Sequence, residues 1–214
     1  MVADMVAAVD GRAAVDGRSV ALGNPADRAL LRELRTAADA VLVGTSTLRA
    51  ERYASLLDGD QRARRVAAGR PPHPLVVTVS RRLALPVAEA PLFGEAGVPI
   101  LVATESGAEA PAVGADLEVL RFDAGGLTLV GVLEALAARG VRGVLCEGGP
   151  SLLRRLIGEG GLDDLLLTVA PLAVAGDGPT ILAGDPLTPR PPRLALREVH
   201  RSEDHLFLHY GLGQ

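Results

Sequence analysis

The sequence changes from a strand pattern to a helix pattern at Val144-Leu145-Cys146-Glu147-Gly148-Gly149-Pro150-Ser151-Leu152-Leu153. The two glycines allow the backbone to approach a ligand closely, and the N–H groups and dipole of the helix start favour a phosphate. Pro150 removes one donor, but Gly149, Ser151 and Leu152 keep theirs. A tight turn without a ligand explains the segment as well, and the spacing is not the G-x-G-x-x-G fingerprint of a standard dinucleotide fold.

Two other segments carry hydroxyls and guanidiniums where a predicted strand ends. Thr78-Val79-Ser80-Arg81-Arg82 suits an isolated phosphate monoester such as the 2′-phosphate of NADPH, or else forms a solvated charged turn. Gly44-Thr45-Ser46-Thr47-Leu48-Arg49-Ala50-Glu51 is a hydroxyl-rich helix start, for which ordinary N-capping is the simpler explanation. Because open α/β sheets bind ligands at the carboxyl ends of their strands, the three segments together favour a dinucleotide with three phosphates.

The strand and helix patterns outside these segments alternate along the chain. Strands are predicted at residues 1–8, 39–44, 75–79, 98–104, 117–122, 141–146, 165–170, 194–199 and 205–210. Helices are predicted after Asn24-Pro25, with a buried stripe of Leu30, Leu31, Leu34, Ala37 and Ala38, after the caps Thr45-Ser46-Thr47, at 127–139, and from the glycine pair to Ile157. The polar, Arg-rich residues 52–74 are predicted to form a long surface loop. This order predicts an α/β fold with a mixed, mostly parallel sheet flanked by helices, antiparallel last strands and a single domain over residues 1–214.

The composition excludes several classes of function. The chain contains no Lys, which removes Schiff-base enzymes and lysine P-loops. A net charge of −4, no Trp and 2% aromatic residues argue against a nucleic-acid partner. One cysteine excludes a disulfide framework. No apolar run is long enough to span a membrane and the start lacks a signal-peptide pattern, so we expect a cytoplasmic protein with no membrane partner.

The histidines give little evidence for chemistry. His205 and His209 alternate with Phe207 on one strand face, where structural roles are expected. No His pair has the spacing of metal ligands, so no metal site is predicted.

Taken together, the motifs resemble the reductase domain of the riboflavin-biosynthesis pyrimidine reductase family, and the resemblance covers nearly the whole chain. The matching segments are Val9-Asp10-Gly11-Arg12, Asn24-Pro25-Ala26-Asp27-Arg28, Leu34-Arg35 through Gly44, Thr47 with Ala50-Glu51, the strand ending at Ser80, Glu147-Gly148-Gly149-Pro150, and Ala170-Pro171. The chain is most similar to the stand-alone reductases of actinobacterial type.

The resemblance implies a dihydrofolate-reductase-like fold, NADPH as cofactor, a small-molecule substrate and a homodimer. It implies reduction of the ribose of a ribosylamino-pyrimidinone phosphate to a ribityl chain. By matching positions, the cofactor would be bound by Ala21, Thr47, Glu51, Ser80, Arg81, Gly148, Gly149, Pro150, Ser151, Leu152 and Leu153. Ser19, Arg35 and Glu147 would face the substrate, with Arg35 suited to its phosphate and Glu147 to the pyrimidine N–H edge.

The departures from the family pattern concern the substrate more than the cofactor. Asp4 stands where bifunctional members carry a Lys near the reacting carbon, and Glu51 replaces an Asp. Tyr53-Ala54-Ser55-Leu56-Leu57 replaces a Leu-Thr-Val-Arg segment, and there is no deaminase motif. Asp4 and Glu147 are the predicted catalytic residues, with Asp4 as a buried acid of raised pKa. Reduction of another heterocycle, such as dihydrofolate or a pterin, and non-catalytic NADP(H) binding remain alternatives.

Overall fold

The structure, a computed structural model, describes residues 1–187 and 190–213. Its elements in chain order are β1 (Val2–Ala8), α1 (Pro25–Ala37), β2 (Ala40–Leu42), α2 (Thr45–Ala50), α3 (Gly59–Ala67), β3 (Leu75–Val79), a 3₁₀ turn (Pro91–Gly94), β4 (Pro99–Thr104), β5 (Asp116–Arg121), α4 (Leu129–Ala138), β6 (Val144–Cys146), α5 (Pro150–Gly158), β7 (Asp164–Ala170), β8 (Leu194–Ser202) and β9 (His205–Leu212). They form two compact units: unit 1 contains residues 1–31 and 146–214, and unit 2 contains residues 32–145. The predicted single domain over 1–214 stays a prediction.

Unit 1 is built on strands of mixed direction. β1 pairs in parallel with β7, with Ala3 opposite Leu165 and Ala7 opposite Val169. β7 pairs antiparallel with β9, and β9 pairs antiparallel with β8. The antiparallel arrangement predicted for the last strands is therefore confirmed. Ala3, Leu153, Leu156 and Ala170 are fully buried and belong to the core of this unit.

Unit 2 holds a parallel run in the order β5, β4, β3, β2. The strands of the run other than β5 are buried on both faces, as in parallel sheets covered on both sides: Val41, Leu42, Val77 and Leu101 have no exposed surface. β2 is three residues long, and only Val43 and Gly44 separate it from α2. The α/β class, with mostly parallel strands flanked by helices, is confirmed.

The start of α1 is as the sequence predicts. Asn24 Oδ1 accepts the N–H of Asp27 at 2.9 Å, the hydrogen bond of an N-cap, and Pro25 is the first helical residue. The predicted buried stripe is wrong in part. Ala37 is exposed, Leu30, Leu31 and Leu34 are half-buried, and Thr36 is the buried residue of this helix. Thr36 tolerates burial because its hydroxyl donates to Arg32 O at 2.7 Å.

The predicted capping of α2 by its hydroxyl residues is also wrong. Gly44 is the N-cap residue, and no side chain caps this helix. The helix begins one residue earlier than a Thr45 cap would allow, so the hydroxyls of Thr45, Ser46 and Thr47 lie in its first turn rather than before it.

The long surface loop predicted for residues 52–74 contains a helix, α3. Asp58 and Gln61 form a capping box, in which Asp58 Oδ1 accepts the Gln61 N–H at 2.9 Å and Gln61 Oε1 accepts the Asp58 N–H at 3.0 Å. Arg65 is buried: its Nη1 donates to Thr36 O and Ala38 O at 2.9 and 2.6 Å, and its Nε donates to Pro71 O at 2.8 Å. Most residues of this helix are exposed, and its two buried residues, Gln61 and Arg65, are polar. An apolar periodicity does not reveal a helix of this kind.

Candidate active site

The glycine pair after β6 forms the start of α5. Gly148 has φ +81°, a conformation that favours glycine, and Gly148–Gly149 is a cis peptide. Gly149 is the N-cap residue with φ −74°, Pro150 follows it, and no side chain caps the helix. The Leu153 N–H already donates to Gly149 O at 3.0 Å. The first-turn N–H groups of Ser151 and Leu152 have no acceptor within a helix, so they are the donors that this turn can offer to a phosphate.

The glycine turn packs against β1. A Cβ added at Gly148 would lie 3.1 Å from Met5 Sδ, which is closer than side chains normally approach. Successive side chains of a strand point to opposite faces, so Asp4 projects from the other face of β1. Asp4 is half-buried with its Oδ1 enclosed, and Glu147 is buried. Glu147 is therefore largely withdrawn from bulk water, and Asp4 is withdrawn in part.

Asp10 organises the loop that carries Ser19 and Ala21. Its Oδ2 accepts the N–H groups of Ala175 and Val174 at 2.6 and 3.1 Å, and the Ala175 hydrogen bond holds the pKa of this carboxyl below its usual value. The Arg12 N–H donates to Asp10 Oδ1 at 3.4 Å. Asp10 therefore shapes the loop, as the Asp-Gly pattern predicts. In this loop Ser19 is half-buried and Ala21 is exposed.

The segment from residue 172 to 186 connects this loop to the start of α5. The Ala13 N–H donates to Pro179 O at 2.8 Å, and Arg12 Nη1 donates to Gly178 O. At the other end the Ala183 N–H donates to Pro150 O at 3.3 Å, and Arg154 Nε donates to Asp185 O at 2.8 Å. These supporting contacts were not predicted from the sequence. The Asp10-Gly11-Arg12 motif was a signal for a constrained loop, but nothing in it indicated the partner residues Val174 and Ala175, which lie 164 and 165 positions from Asp10 in the sequence.

In unit 2, the side chains of Ser80 and Arg81 in the predicted phosphate-binding turn after β3 are hydrogen-bonded to other groups of the protein. Ser80 is buried, and its hydroxyl donates to Ala84 O at 3.2 Å. Arg81 Nη1 donates to Glu105 Oε1 at 2.7 Å and Nη2 donates to Leu127 O at 3.3 Å, while Arg82 is exposed. Arg81 and Arg82 are both exposed, and Arg81 is engaged by Glu105 and Leu127.

The Arg35 side chain lies over the ring of Tyr53, with 5.4 Å between its guanidinium carbon and the ring centroid. This is the distance of a cation–π contact. Tyr53 begins the segment that departs from the family pattern, so the departure brings an aromatic ring to a predicted substrate residue. Thr47 and Glu51, both half-buried, lie on α2 and directly after it.

The predicted site residues are divided between the two units. Unit 1 holds Asp4, Ser19, Ala21, Glu147 and the run from Gly148 to Leu153, and unit 2 holds Arg35, Thr47, Glu51, Ser80 and Arg81. The predicted role of each stays a prediction.

The cysteine thiol and two of the histidines lie in surroundings that suit structural roles. Burial raises the pKa of the Cys146 thiol to about 12, so it is neutral at physiological pH. His205 Nε2 lies 3.1 Å from Leu22 O, and His209 Nε2 lies 2.8 Å from Asp164 Oδ1. Among residues 1–187 and 190–213 no group of three or more His, Cys, Asp or Glu is placed to hold a metal ion. No helix within the same residues has the length and apolarity needed to cross a membrane.

Comparison with known families gives a match to the RibD C-terminal domain over residues 1–208. The chain belongs to the RibD C-terminal domain family. It is 28% identical over 186 residues to the 2,5-diamino-6-ribosylamino-4(3H)-pyrimidinone 5′-phosphate reductase of Archaeoglobus fulgidus, covering 85% of each chain. The family resemblance seen in the sequence is therefore confirmed.

Solved structures support the fold of this RibD-family chain. A pyrimidine reductase-like protein from Corynebacterium diphtheriae, 26% identical, superposes with a TM-score of 0.83 over 100% of this chain and 91% of its own. A dihydrofolate reductase from Enterococcus faecalis complexed with NADP(H), only 14% identical, superposes with a TM-score of 0.53 over 100% of this chain and 96% of its own. The predicted dihydrofolate-reductase-like fold is confirmed.

Proposed function

We propose that this chain is an NADPH-dependent pyrimidine reductase that converts the ribose of a ribosylamino-pyrimidinone phosphate to a ribityl chain in riboflavin biosynthesis. The observation that carries the proposal is the glycine turn of unit 1, which opens α5 with no side-chain cap in a chain matched to the RibD C-terminal domain over residues 1–208. The name of the Archaeoglobus relative supports the same substrate class.

The glycine turn fits a nicotinamide dinucleotide. Gly149 places no side chain over the first turn of α5, and the N–H groups of Ser151 and Leu152 with the helix dipole favour a phosphate there. Ser80, Arg81 and Arg82 fit the 2′-phosphate that distinguishes NADPH from NADH. Thr47, Glu51 and Ala21 complete the proposed cofactor residues, with the Glu51 carboxylate suited to a ribose hydroxyl.

The proposed substrate residues supply complementary chemistry. Arg35 is suited to the substrate phosphate as a planar donor, and Tyr53 restricts its rotation by stacking. Glu147 is a carboxylate at the end of a strand and suits the N–H edge of the pyrimidine, with Ser19 as a further hydroxyl. NADPH, when bound, supplies a hydride to the electron-poor C=N or C=O carbon of the opened sugar. The proton that balances the charge on the neighbouring heteroatom comes from Asp4, which then carries the negative charge until water reprotonates it.

Two further properties belong to this proposal. The protein acts as a homodimer, and it acts in the cytoplasm, where the small-molecule substrate of a biosynthetic reductase is made. Neither property depends on the chemistry above.

Continuous measurement of NADPH oxidation tests the proposal. The purified protein is given, in separate reactions, the diamino compound named for the Archaeoglobus relative, its deaminated form and dihydrofolate. We expect oxidation with one of the two pyrimidinones and none with dihydrofolate, and we expect Glu147→Gln to reduce it. Oxidation with dihydrofolate alone would favour a reductase of another heterocycle. NADPH binding without oxidation of any compound would favour a non-catalytic NADP(H)-binding protein.

A further inference from the structure

A cavity of about 580 Å³ lies between α1 and α3 in unit 2, and we call it the α1–α3 cavity. Glu33, Arg64, Arg65 and Arg70 line it, together with alanines from the ends of both helices. None of its lining residues is among the proposed cofactor or substrate residues. The cavity lies near the last turns of the two helices, which precede the amino ends of β2 and β3, whereas open α/β sheets bind their main ligands at the carboxyl ends of the strands.

Arg65 is the buried charged residue of this lining, with 2% of its surface exposed. Its Nη1 donates to Thr36 O and Ala38 O, and its Nε donates to Pro71 O. These bonds use three of the five N–H groups of the guanidinium. Within the part of the chain that the structure describes, the two N–H groups of Nη2 donate to no protein oxygen. A buried guanidinium with unused donors beside a cavity is suited to an oxygen anion.

The charges around the cavity complement an anion. Three guanidiniums, those of Arg64, Arg65 and Arg70, against the carboxylate of Glu33 leave a formal charge of +2, in a chain whose net charge is −4. Asp39 lies 3.5 Å from Arg70 and reduces this excess to +1 when it is counted. Burial and the nearby charge of Arg70 lower the pKa of Arg65, so the positive charge at this place is incompletely compensated. The excess fits one carboxylate or phosphate group rather than a polyanion.

The C-terminal ends of α1 and α3 carry partial negative charge, which by itself would oppose an anion. The carbonyls of residues 36–38 already accept donors from Arg65 and Arg70, and those of Arg65 and Val66 accept main-chain N–H groups. The helix ends are therefore occupied by the protein itself. The side chains of Arg64 and Arg70 are 54% and 42% exposed, and ion pairs at such exposure are weak. Both can turn toward an anion that Arg65 holds.

We propose that the α1–α3 cavity binds a small anion through a carboxylate or phosphate group. Nη2 of Arg65 is the fixed donor, and Arg64 and Arg70 close on the anion from the surface. The alanines of the lining give an apolar floor for the carbon atoms of an organic acid or phosphate ester. This second site goes beyond the proposed reductase reaction and does not depend on it.

Nuclear magnetic resonance titrations of the nitrogen-labelled protein test the site, with inorganic phosphate and sodium acetate as separate probes in chloride buffer. We expect saturable shifts of the Ala37, Ala67 and Ala68 amide signals with a Kd of about 1 mM, as two charge-assisted hydrogen bonds allow. Saturation by only one probe identifies the group that binds. Phosphate can also bind at the glycine turn, so the Ser151 and Leu152 signals are followed in the same spectra. Shifts confined to those two signals, or no saturation with either probe, overturn the proposal.

A pair of substitutions on α3 locates the binding. Ala67→Glu puts a carboxylate in the cavity and should weaken binding of the saturating probe at least tenfold. Ala63→Glu is the matched control, because Ala63 is exposed on the same helix and outside the cavity lining, and it should leave the Kd unchanged. Urea unfolding shows whether both variants keep their stability. Equal affinity in the two variants contradicts the proposed site.

A second variant does not depend on how α3 tolerates a new carboxylate. Arg64→Gln combined with Arg70→Gln removes the two exposed donors and leaves Arg65 and its hydrogen bonds to the main chain in place. We expect the Kd for the saturating probe to rise at least tenfold, with unfolding in urea close to that of the unchanged protein. A folded double variant that binds the probe as tightly as the unchanged protein does refutes the role of these arginines and the site with them.

Discussion

Arg81 is held by Glu105, with 2.7 Å between Nη1 and Oε1. Glu105 also accepts the N–H of Leu127 at 3.0 Å, and this hydrogen bond, with the Arg81 contact, keeps the pKa of its carboxyl below the usual value. The ion pair therefore persists at physiological pH. A cofactor phosphate at this turn must share the Arg81 guanidinium with a carboxylate, while the exposed Arg82 has more freedom to turn toward it.

Replacing Arg81 and Arg82 together with Ala should erode the preference for NADPH over NADH at least tenfold. One charge-assisted hydrogen bond contributes about 1.5–3 kcal/mol, and about 1.4 kcal/mol is a factor of ten in affinity. The measurement is a titration of both cofactors by fluorescence or calorimetry, with Arg139→Ala as a control on a surface arginine. Equal affinity of the unchanged protein for the two cofactors would show that this turn binds no 2′-phosphate.

The two glycines of the turn should respond differently to substitution. Gly148 has φ +81° and a Cβ there would press on Met5 Sδ, so Gly148→Ala should destabilise the folded protein by about 1–3 kcal/mol. Gly149 has φ −74°, which any residue adopts, so its backbone accepts a side chain without strain. Gly149→Val should lose cofactor affinity by covering the first turn of α5. Urea unfolding and NADPH titration of both variants separate the effects. If Gly149→Val binds NADPH as tightly as the unchanged protein does, the glycine turn does not bind the cofactor.

The hydrogen bonds from Val174 and Ala175 to Asp10 should be lost in acid. The pKa of Asp10 is lowered on folding, chiefly by the Ala175 hydrogen bond. The ionised carboxylate therefore stabilises the folded loop fully at pH values above its ordinary pKa of 3.8. That stabilisation disappears as the pH falls through the lowered value. Amide exchange at Val174 and Ala175, after correction for intrinsic rates, should therefore speed up relative to the Leu153 amide of α5 as the pH falls below 3.8 toward the lowered pKa. In Asp10→Ala the two amides should exchange fast at all pH values. Protection in that variant equal to the unchanged protein would remove Asp10 as the clamp of this loop.

Local sequence patterns predicted the helix starts and strands that are determined by residues close to one another in the sequence. Asn24-Pro25 starts α1 as expected, and the run from Leu75 to Val79 is a strand to the residue. Helix α3 was missed because its buried members are Gln61 and Arg65, whose burial depends on carbonyls of distant residues. The Asp58–Gln61 capping box was the available signal. The sequence predicted which residues belong to the candidate site, but not which side chains contact one another. The Arg35–Tyr53 stacking and the Arg81–Glu105 ion pair join residues that are far apart in the sequence, so motif spacing does not predict them.

Asp4→Asn should slow turnover by at least ~10²-fold while NADPH affinity stays nearly unchanged. Hydride transfer leaves negative charge on the heteroatom next to the reduced carbon, and a proton donor must lie within about 3 Å of it. The chain has no Lys to supply the proton, His205 and His209 lie at a main-chain carbonyl and a carboxylate, and Asp10 is engaged with Val174 and Ala175. Asp4 is half-buried on β1, and an amide in its place keeps the shape of the side chain but has no acidic proton to give.

The test of Asp4 compares kcat, KM and the pH profile of the unchanged protein, of Asp4→Asn and of the exposed-loop control Asp177→Asn, using an authenticated pyrimidinone substrate. A general acid raises the rate by ~10²–10⁴-fold, so kcat should fall in Asp4→Asn. In the unchanged protein the rate should decrease at high pH as the acid loses its proton, and this decrease should be absent in Asp4→Asn. Asp177→Asn should behave as the unchanged protein does. Full activity in Asp4→Asn would assign the proton to water and leave Asp4 outside the chemistry.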